Sequence, residues 1–169
     1  MKKQVSKEAF IFLRISRITS HYEVSFHQSV KLVQQLNKDG FSCKLLIVGY
    51  IEDQGVYNRL KAVCDNNIIF FTDDCYIKNA KEYLEVADFV IGTGRGFMEA
   101  ASKSLVLLSP ISEAPYPLLI DQENFRVAFS SNFSERSRQK NHNWESNYEN
   151  IKRALSDVAY RDELKNTSR

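Results

Sequence analysis

The sequence predicts an α/β fold, a Rossmann-like doubly wound parallel sheet of about six strands with helices on both faces. Three observations carry this expectation. Short apolar runs at residues 9–15, 43–48, 67–71, 89–91 and 105–108 alternate with segments of helical period. Within each run, apolar residues follow one another instead of alternating with polar ones, as in a strand covered on both faces. The run ends are polar or glycine-rich, which is where an open parallel sheet binds its ligands.

Composition narrows the class. A chain of 169 residues suits one domain with a substantial core, and 43% hydrophobic with 26% charged residues are globular values. Lys and Arg number 23 against 21 Asp and Glu, a net charge of +2. Both signs are scattered, so no basic face is predicted for nucleic acid or an anionic membrane. Cys43, Cys64 and Cys75 are odd in number and widely spaced, which points to buried free thiols and not to zinc. No run approaches the roughly 18 apolar residues of a membrane span, and the N-terminus lacks a signal-peptide core. The expectation is a cytoplasmic protein with no nucleic-acid partner and no membrane span.

Taken in order, residues 1–8 are a polar lead-in, 9–130 hold the sheet and its helices, and 144–166 form C-terminal helices. The first strand, 9–15, is followed by a polar loop, Ser16 to His21. A helix over 23–38 follows from the spacing of Phe26, Val30, Val33 and Leu36, and Gly40 supplies its left-handed cap. The second strand, 43–48, closes at Gly49. A short helix opening at Asp53 or Gln54 carries Val56, Leu60 and Val63 to the third strand, 67–71. A polar turn, Thr72-Asp73-Asp74, leads to a helix over 77–86 and a central strand at 89–91. Beyond the strand at 105–108 the pattern weakens: a proline-containing loop, a short extended piece at 117–120, a last strand at 126–129 and a polar loop at 134–143. Trp144, Tyr148, Ile151 and Leu155 place an apolar stripe on the first of two final helices.

The chain is organised around residues 88–110. Gly92, Gly94 and Gly96 are half of its six glycines. They form a turn between a strand and a helix, where backbone can approach a ligand closely and unpaired amides converge on an anion. Arg95 adds positive charge, and Glu99 lies one helical turn further on the same side. With Ser16 to His21 and Thr72 to Cys75, three polar clusters fall at strand C-termini and define one candidate edge.

The succession Ser16-Arg17, Leu45-Leu46-Ile47-Val48-Gly49, Ile68-Ile69-Phe70-Phe71, Tyr83-Leu84-Glu85-Val86-Ala87-Asp88 and Gly94-Arg95-Gly96-Phe97-Met98-Glu99-Ala100 resembles the C-terminal, donor-binding domain of GT-B glycosyltransferases. It is most similar to the large retaining family (glycosyl transferases group 1) that builds bacterial polysaccharides and lipopolysaccharide. The likeness covers roughly residues 10–110, with the motifs in the family's order. It implies that Arg17 neutralises the diphosphate of a UDP- or GDP-linked sugar. Gly94 to Phe97 would form the turn facing that diphosphate, and Glu99 would hydrogen-bond the ribose. Thr72, Asp73, Cys75 and Tyr76 would contact the base, with Ser16, His21 and Gly49 as further candidates. It implies no cofactor and no metal. Two residues depart from the family: Ile91 stands where it has the first of two glutamates, and Tyr22 where it has a lysine. The family's N-terminal acceptor-binding domain is not in this sequence, so the expectation is either a fragment of a longer enzyme or a chain that works with a separate partner.

Each assignment has a structural counterpart. Arg17 and Glu99 could be ordinary solvated residues, Arg95 could form an ion pair, and Asp73-Asp74 could cap a helix. His21, His27 and His142 show no triad or metal spacing, and Trp144 reads as a core anchor. The alternatives are an epimerase or phosphorylase sharing the half-fold, and a non-catalytic donor-binding subunit. A nicotinamide enzyme fits poorly, because the glycine turn follows a late strand and not the first.

Overall fold

The computed structural model describes residues 8–136 and 143–167, with the backbone alone at Arg95. The chain runs β1 (Phe10–Ile15), α1 (Glu23–Lys38), β2 (Cys43–Val48), α2 (Gln54–Val63), β3 (Ile68–Phe71) and α3 (Asp74–Lys78). It continues through a 3₁₀ segment (Ala80–Glu85), β4 (Phe89–Ile91), α4 (Gly94–Ser102), β5 (Val106–Ser109) and β6 (Leu118–Leu119). The last helices are α5 (Phe125–Ser130), α6 (Trp144–Ser156) and α7 (Val158–Lys165). The six strands are ordered β3-β2-β1-β4-β5-β6. The first five are parallel, and β6 pairs with β5 antiparallel. The fold is thus the expected Rossmann-like doubly wound sheet, with one reversed edge strand.

Burial on both faces explains the continuous apolar runs. Successive strand residues point to opposite faces, so Phe12 joins the core beneath α1, α2, α6 and α7. Leu13 joins the second core beneath α4 and α5. Phe12 lies between Leu45 and Phe89 on the neighbouring strands, and its ring stacks on that of Phe89 at 4.5 Å. Asp88 fastens the central pair: its carboxylate accepts from the amide of Ile11 at 2.8 Å, and its own amide donates to Ile11 O.

Helix α1 has the expected bounds, and Gly40 takes φ +95° just beyond it. The Asp53 carboxylate accepts from the amide of Val56 at the start of α2, as a capping side chain should. At the reversed edge, the Asn147 side chain of α6 accepts from Leu119 N at 2.9 Å and donates to Pro117 O at 3.0 Å. The Asn124 side chain donates to Leu119 O at 2.8 Å.

Several expectations need correction. Residues 126–129 belong to a helix, α5, and not to a last strand. Phe125, Ala128 and Phe133 there pack into the second core. The helix expected over 77–86 begins earlier, at Asp74, and breaks at Asn79 into α3 and the 3₁₀ segment. Asp73 occupies the N-cap of α3, but its side chain makes no capping bond. The helix after the central strand starts at Gly94, so Gly94, Arg95 and Gly96 form its first turn instead of preceding it. Cys43 is buried as expected, whereas Cys75 is exposed. Most of the lead-in, part of the 134–143 loop and His142 lie outside the described residues. Among the described residues no helix is long and apolar enough to cross a membrane.

Candidate functional site

The order of strands places the topological switch between β1 and β4. The chain leaves β1 toward α1 on one face and leaves β4 toward α4 on the other, which opens a crevice at their C-terminal ends. A cleft of about 180 Å³ lies there, with Ser16 and Arg17 on one wall, Gly92 and Thr93 on the other, and Arg14 and Tyr22 lining it too.

The first wall is fixed by close backbone packing. After β1 and β2 end, the two chains stay paired: Ser16 N donates to Val48 O and Ile18 N to Tyr50 O. Gly49 makes this possible, because a Cβ there would stand 1.8 Å from Ser16 O. Gly49 therefore shapes the wall and lines none of the clefts described here. The Arg17 side chain is 66% exposed and donates to Glu52 at 3.0 Å. An exposed pair of this kind contributes little to stability, so Arg17 is free to exchange its partner for a ligand anion.

The second wall is the start of α4. Gly92 N donates to Leu108 O, and Gly94 N to Asn132 O. Gly94 takes φ +67°, which turns the chain into the helix and which L side chains rarely adopt. The next two amides, of Arg95 and Gly96, have no intrahelical acceptor by helix geometry, and they sit at the positive end of the helix dipole. A Cβ at Gly96 would meet nothing within 4 Å, so packing does not demand this glycine. The Phe97 side chain is core: it is 2% exposed, touches Gly92 and lies edge-on to Phe133 at 4.8 Å.

Two further clefts adjoin the first. One of about 270 Å³ shares Tyr22 and Thr93 with it and extends past Gly94 to Asn132 and Glu135. The other, about 300 Å³, shares His21, Ser112 and Glu135 with the second and reaches Ser25 and Gln28 of α1. Together they form a continuous trough from Arg17 to Gln28. His21 lines two of its three sections.

Arg14 is the residue that the sequence analysis passed over. It is 2% exposed, on the same face of β1 as Phe12. Its guanidinium donates to Ser25 Oγ at 2.6 Å and Ser29 Oγ at 3.1 Å, and lies 3.9 Å over the Phe26 ring. Nε has no partner. Burial pulls its pKa down to about 10, against the opposing fields of Glu135 and Tyr22. Both serine hydroxyls donate to backbone carbonyls, Tyr22 O and Ser25 O, so they stay bonded without Arg14. Replacement of a buried charge by an apolar group of similar volume is often neutral or stabilising. Arg14→Met is expected to shift stability by less than ~1.5 kcal/mol in either direction; the shift in urea midpoint checks it. A loss above ~3 kcal/mol would show that the cation itself holds the fold.

Glu135 Oε1 and Gln28 Oε1 are also buried without partners, each at a cost of about 1–3 kcal/mol. Gln28 is an identifiable signal in sequence: with Ser25 and Ser29 it sets polar atoms on the buried side of α1. Arg14, the one charge within an apolar strand, is another. Glu135 falls in a segment expected to be a surface loop, and nothing local marks it.

The remaining predicted residues lie apart from the trough. Thr72, Asp73, Cys75 and Tyr76 are at the end of β3, two strand spacings or about 10 Å from β1. Tyr76 packs edge-on against Phe71 at 5.0 Å. Glu99 accepts from Lys81 of the 3₁₀ segment at 2.8 Å, so it sits on the side of α4 turned toward that segment. Ile91 is fully buried in β4. Among the described residues, no group of three or more His, Cys, Asp or Glu gathers as metal ligands would.

No family model and no curated protein matches the sequence. Solved structures do. The chain superposes on the C-terminal domain of a glycosyl transferase group 1 family protein from Francisella tularensis with TM-score 0.60 and 13% identity, over 94% of this chain and 82% of that one. It superposes on the catalytic domain of cholesterol-α-glucosyltransferase from Helicobacter pylori with TM-score 0.54 and 17% identity, over 94% and 95%. For UDP-GlcNAc 2-epimerase from Neisseria meningitidis, solved with UDP-GlcNAc bound, the TM-score is 0.57 and the identity 10%, over 94% of this chain and 40% of that one. At these identities the likeness shows the fold: the chain has that of the C-terminal domain of GT-B glycosyltransferases. It spans about two fifths of the epimerase's length.

Proposed function

We propose that this chain is the donor-binding domain of a GT-B glycosyltransferase, holding a UDP- or GDP-linked sugar for transfer to an acceptor hydroxyl. The observation that carries the reading is the cleft at the β1–β4 switch point, which Arg17 lines opposite Gly92 and Thr93, the residues that lead into α4. The diphosphate occupies that cleft, and Arg17 leaves Glu52 to meet it. The base reaches toward Thr72 to Tyr76, and Glu99 leaves Lys81 to meet the ribose. As the glycosidic bond breaks, negative charge grows on the leaving diphosphate, and fixed donors stabilise it without rearranging. The reading needs no metal. Ile91, buried where the resembling family carries a carboxylate, removes one of that family's site residues, and turnover depends on an acceptor-binding domain or partner chain.

Calorimetric titration with UDP, GDP, UDP-glucose and GDP-mannose tests this. One nucleotide series should bind, and Arg17→Ala should weaken it ~10- to 100-fold, as loss of a charge-assisted hydrogen bond does. Glu99→Ala should weaken it less. Failure of Arg17→Ala to change the affinity of any bound nucleotide would reject the assignment. A second reading, the half-domain of a sugar-nucleotide epimerase, is favoured by the comparable likeness to UDP-GlcNAc 2-epimerase. Conversion of UDP-N-acetylglucosamine without an acceptor would select it.

A further inference from the structure

We infer that the far end of the trough, between α1, residues 111–113 and Glu135, recognises the sugar hydroxyls of the donor through Gln28 and Glu135. This rests on the nucleotide-sugar reading and assigns the part of the ligand that Arg17 and α4 do not hold.

Two observations carry it independently of Arg17 and α4. The first is the orientation of Gln28, a residue 5% exposed. Its Nε2 donates to Ile111 O at 2.9 Å and to Ala114 O at 2.8 Å. Two carbonyls cannot both be met by the amide oxygen, so the side chain cannot be flipped. Oε1 is therefore left as an acceptor with no donor. The second is that Glu135, from a different segment, lines the same 300 Å³ section and also has a buried oxygen without a donor. Buried polar atoms are ordinarily satisfied by protein, water or ligand. What is missing on both residues is a hydrogen-bond donor.

The two ends of the trough thus differ in chemistry. The end at Arg17 and the start of α4 presents donors and positive charge, suited to phosphate. The end at Gln28 and Glu135 presents acceptors, with the Ser25 and Ser112 hydroxyls beside them. That suits a ligand rich in hydroxyl donors and repels a second phosphate. A sugar joined to a diphosphate has this asymmetry. The middle section, lined by Thr93 and Gly94 on one side and Glu135 on the other, joins the two ends. Arg14, whose Nε has no partner, lines the section at the Arg17 end.

The test compares ligands with and without the sugar on one protein. Wild type, Glu135→Ala and Glu135→Gln are titrated with UDP, GDP, UDP-glucose and GDP-mannose. Glu135 Oε1 accepts no hydrogen bond among the described residues, so thermal melting should show all three folded. The expected result is that Glu135→Ala weakens the sugar-bearing ligand ~10-fold or more and leaves the matching free nucleotide unchanged. Glu135→Gln, which keeps an acceptor, should recover part of the loss. Equal effects on both ligands, or none on either, would overturn this inference while the nucleotide reading stands, and would mean that water satisfies these atoms. Binding of none of the four ligands by the wild type would overturn both.

Discussion

Phe12→Ala is expected to destabilise the protein by about 3–5 kcal/mol, the range for truncating a fully buried aromatic. Phe12 has no exposed surface, stands in the central strand and stacks flat on Phe89. Its removal empties a site walled by two neighbouring strands and α1, elements that the rest of the sheet holds in place, so little collapse can refill it. Against a typical total of 5–15 kcal/mol, this is a large share. The urea midpoint should fall with the slope unchanged. Val63→Ala, at a position 48% exposed, should move it little. A loss below ~1.5 kcal/mol at Phe12 would mean that the centre of the sheet is less tightly packed than described.

Gly49→Ala should cost about 1–3 kcal/mol, the range for overpacking, and should damage the site as well. The added methyl meets Ser16 O at 1.8 Å. Its neighbour is backbone, so no side chain can swing away, and the paired segments after β1 and β2 must separate. Those segments carry Ser16 and Arg17. Nucleotide affinity is therefore expected to fall along with stability, measured by calorimetry and denaturation on the same sample. Gly96→Ala is the useful contrast, since its methyl would enter open space. An unchanged melting temperature for Gly49→Ala would show that the two segments can part freely.

The legible parts of the fold were those with redundant signals. Residues 43–48 form a strand buried on both faces, and α1 has sixteen residues of clear period with glycine beyond. Residues 126–129 misled because Arg-Val-Ala-Phe is a short run containing the strand-favouring Val and Phe, and a six-residue helix is too short to display its period. A better signal lay just before it. Asp121 and Asn124 exchange side-chain-to-backbone bonds in a turn that starts α5. Of the candidate site, the sequence showed the glycine turn and Arg17, because both sit beside recognisable strand ends. Gln28 and Glu135 are brought to one cleft by the packing of α1 against distant loops, a relation that no local pattern encodes. Arg14 was visible as a lone charge in an apolar run, but which face it takes depends on strand register.

The side-chain amides of Asn147 and Asn124 have a consequence for how copies of this protein meet in a crowded solution. The outermost strand of an open sheet offers a row of unmet amides and carbonyls, a template onto which another chain can add. Here Leu119 N, Leu119 O and Pro117 O are already occupied. Two asparagines stand in for a seventh strand, so growth of the sheet from one molecule to the next is blocked at that side.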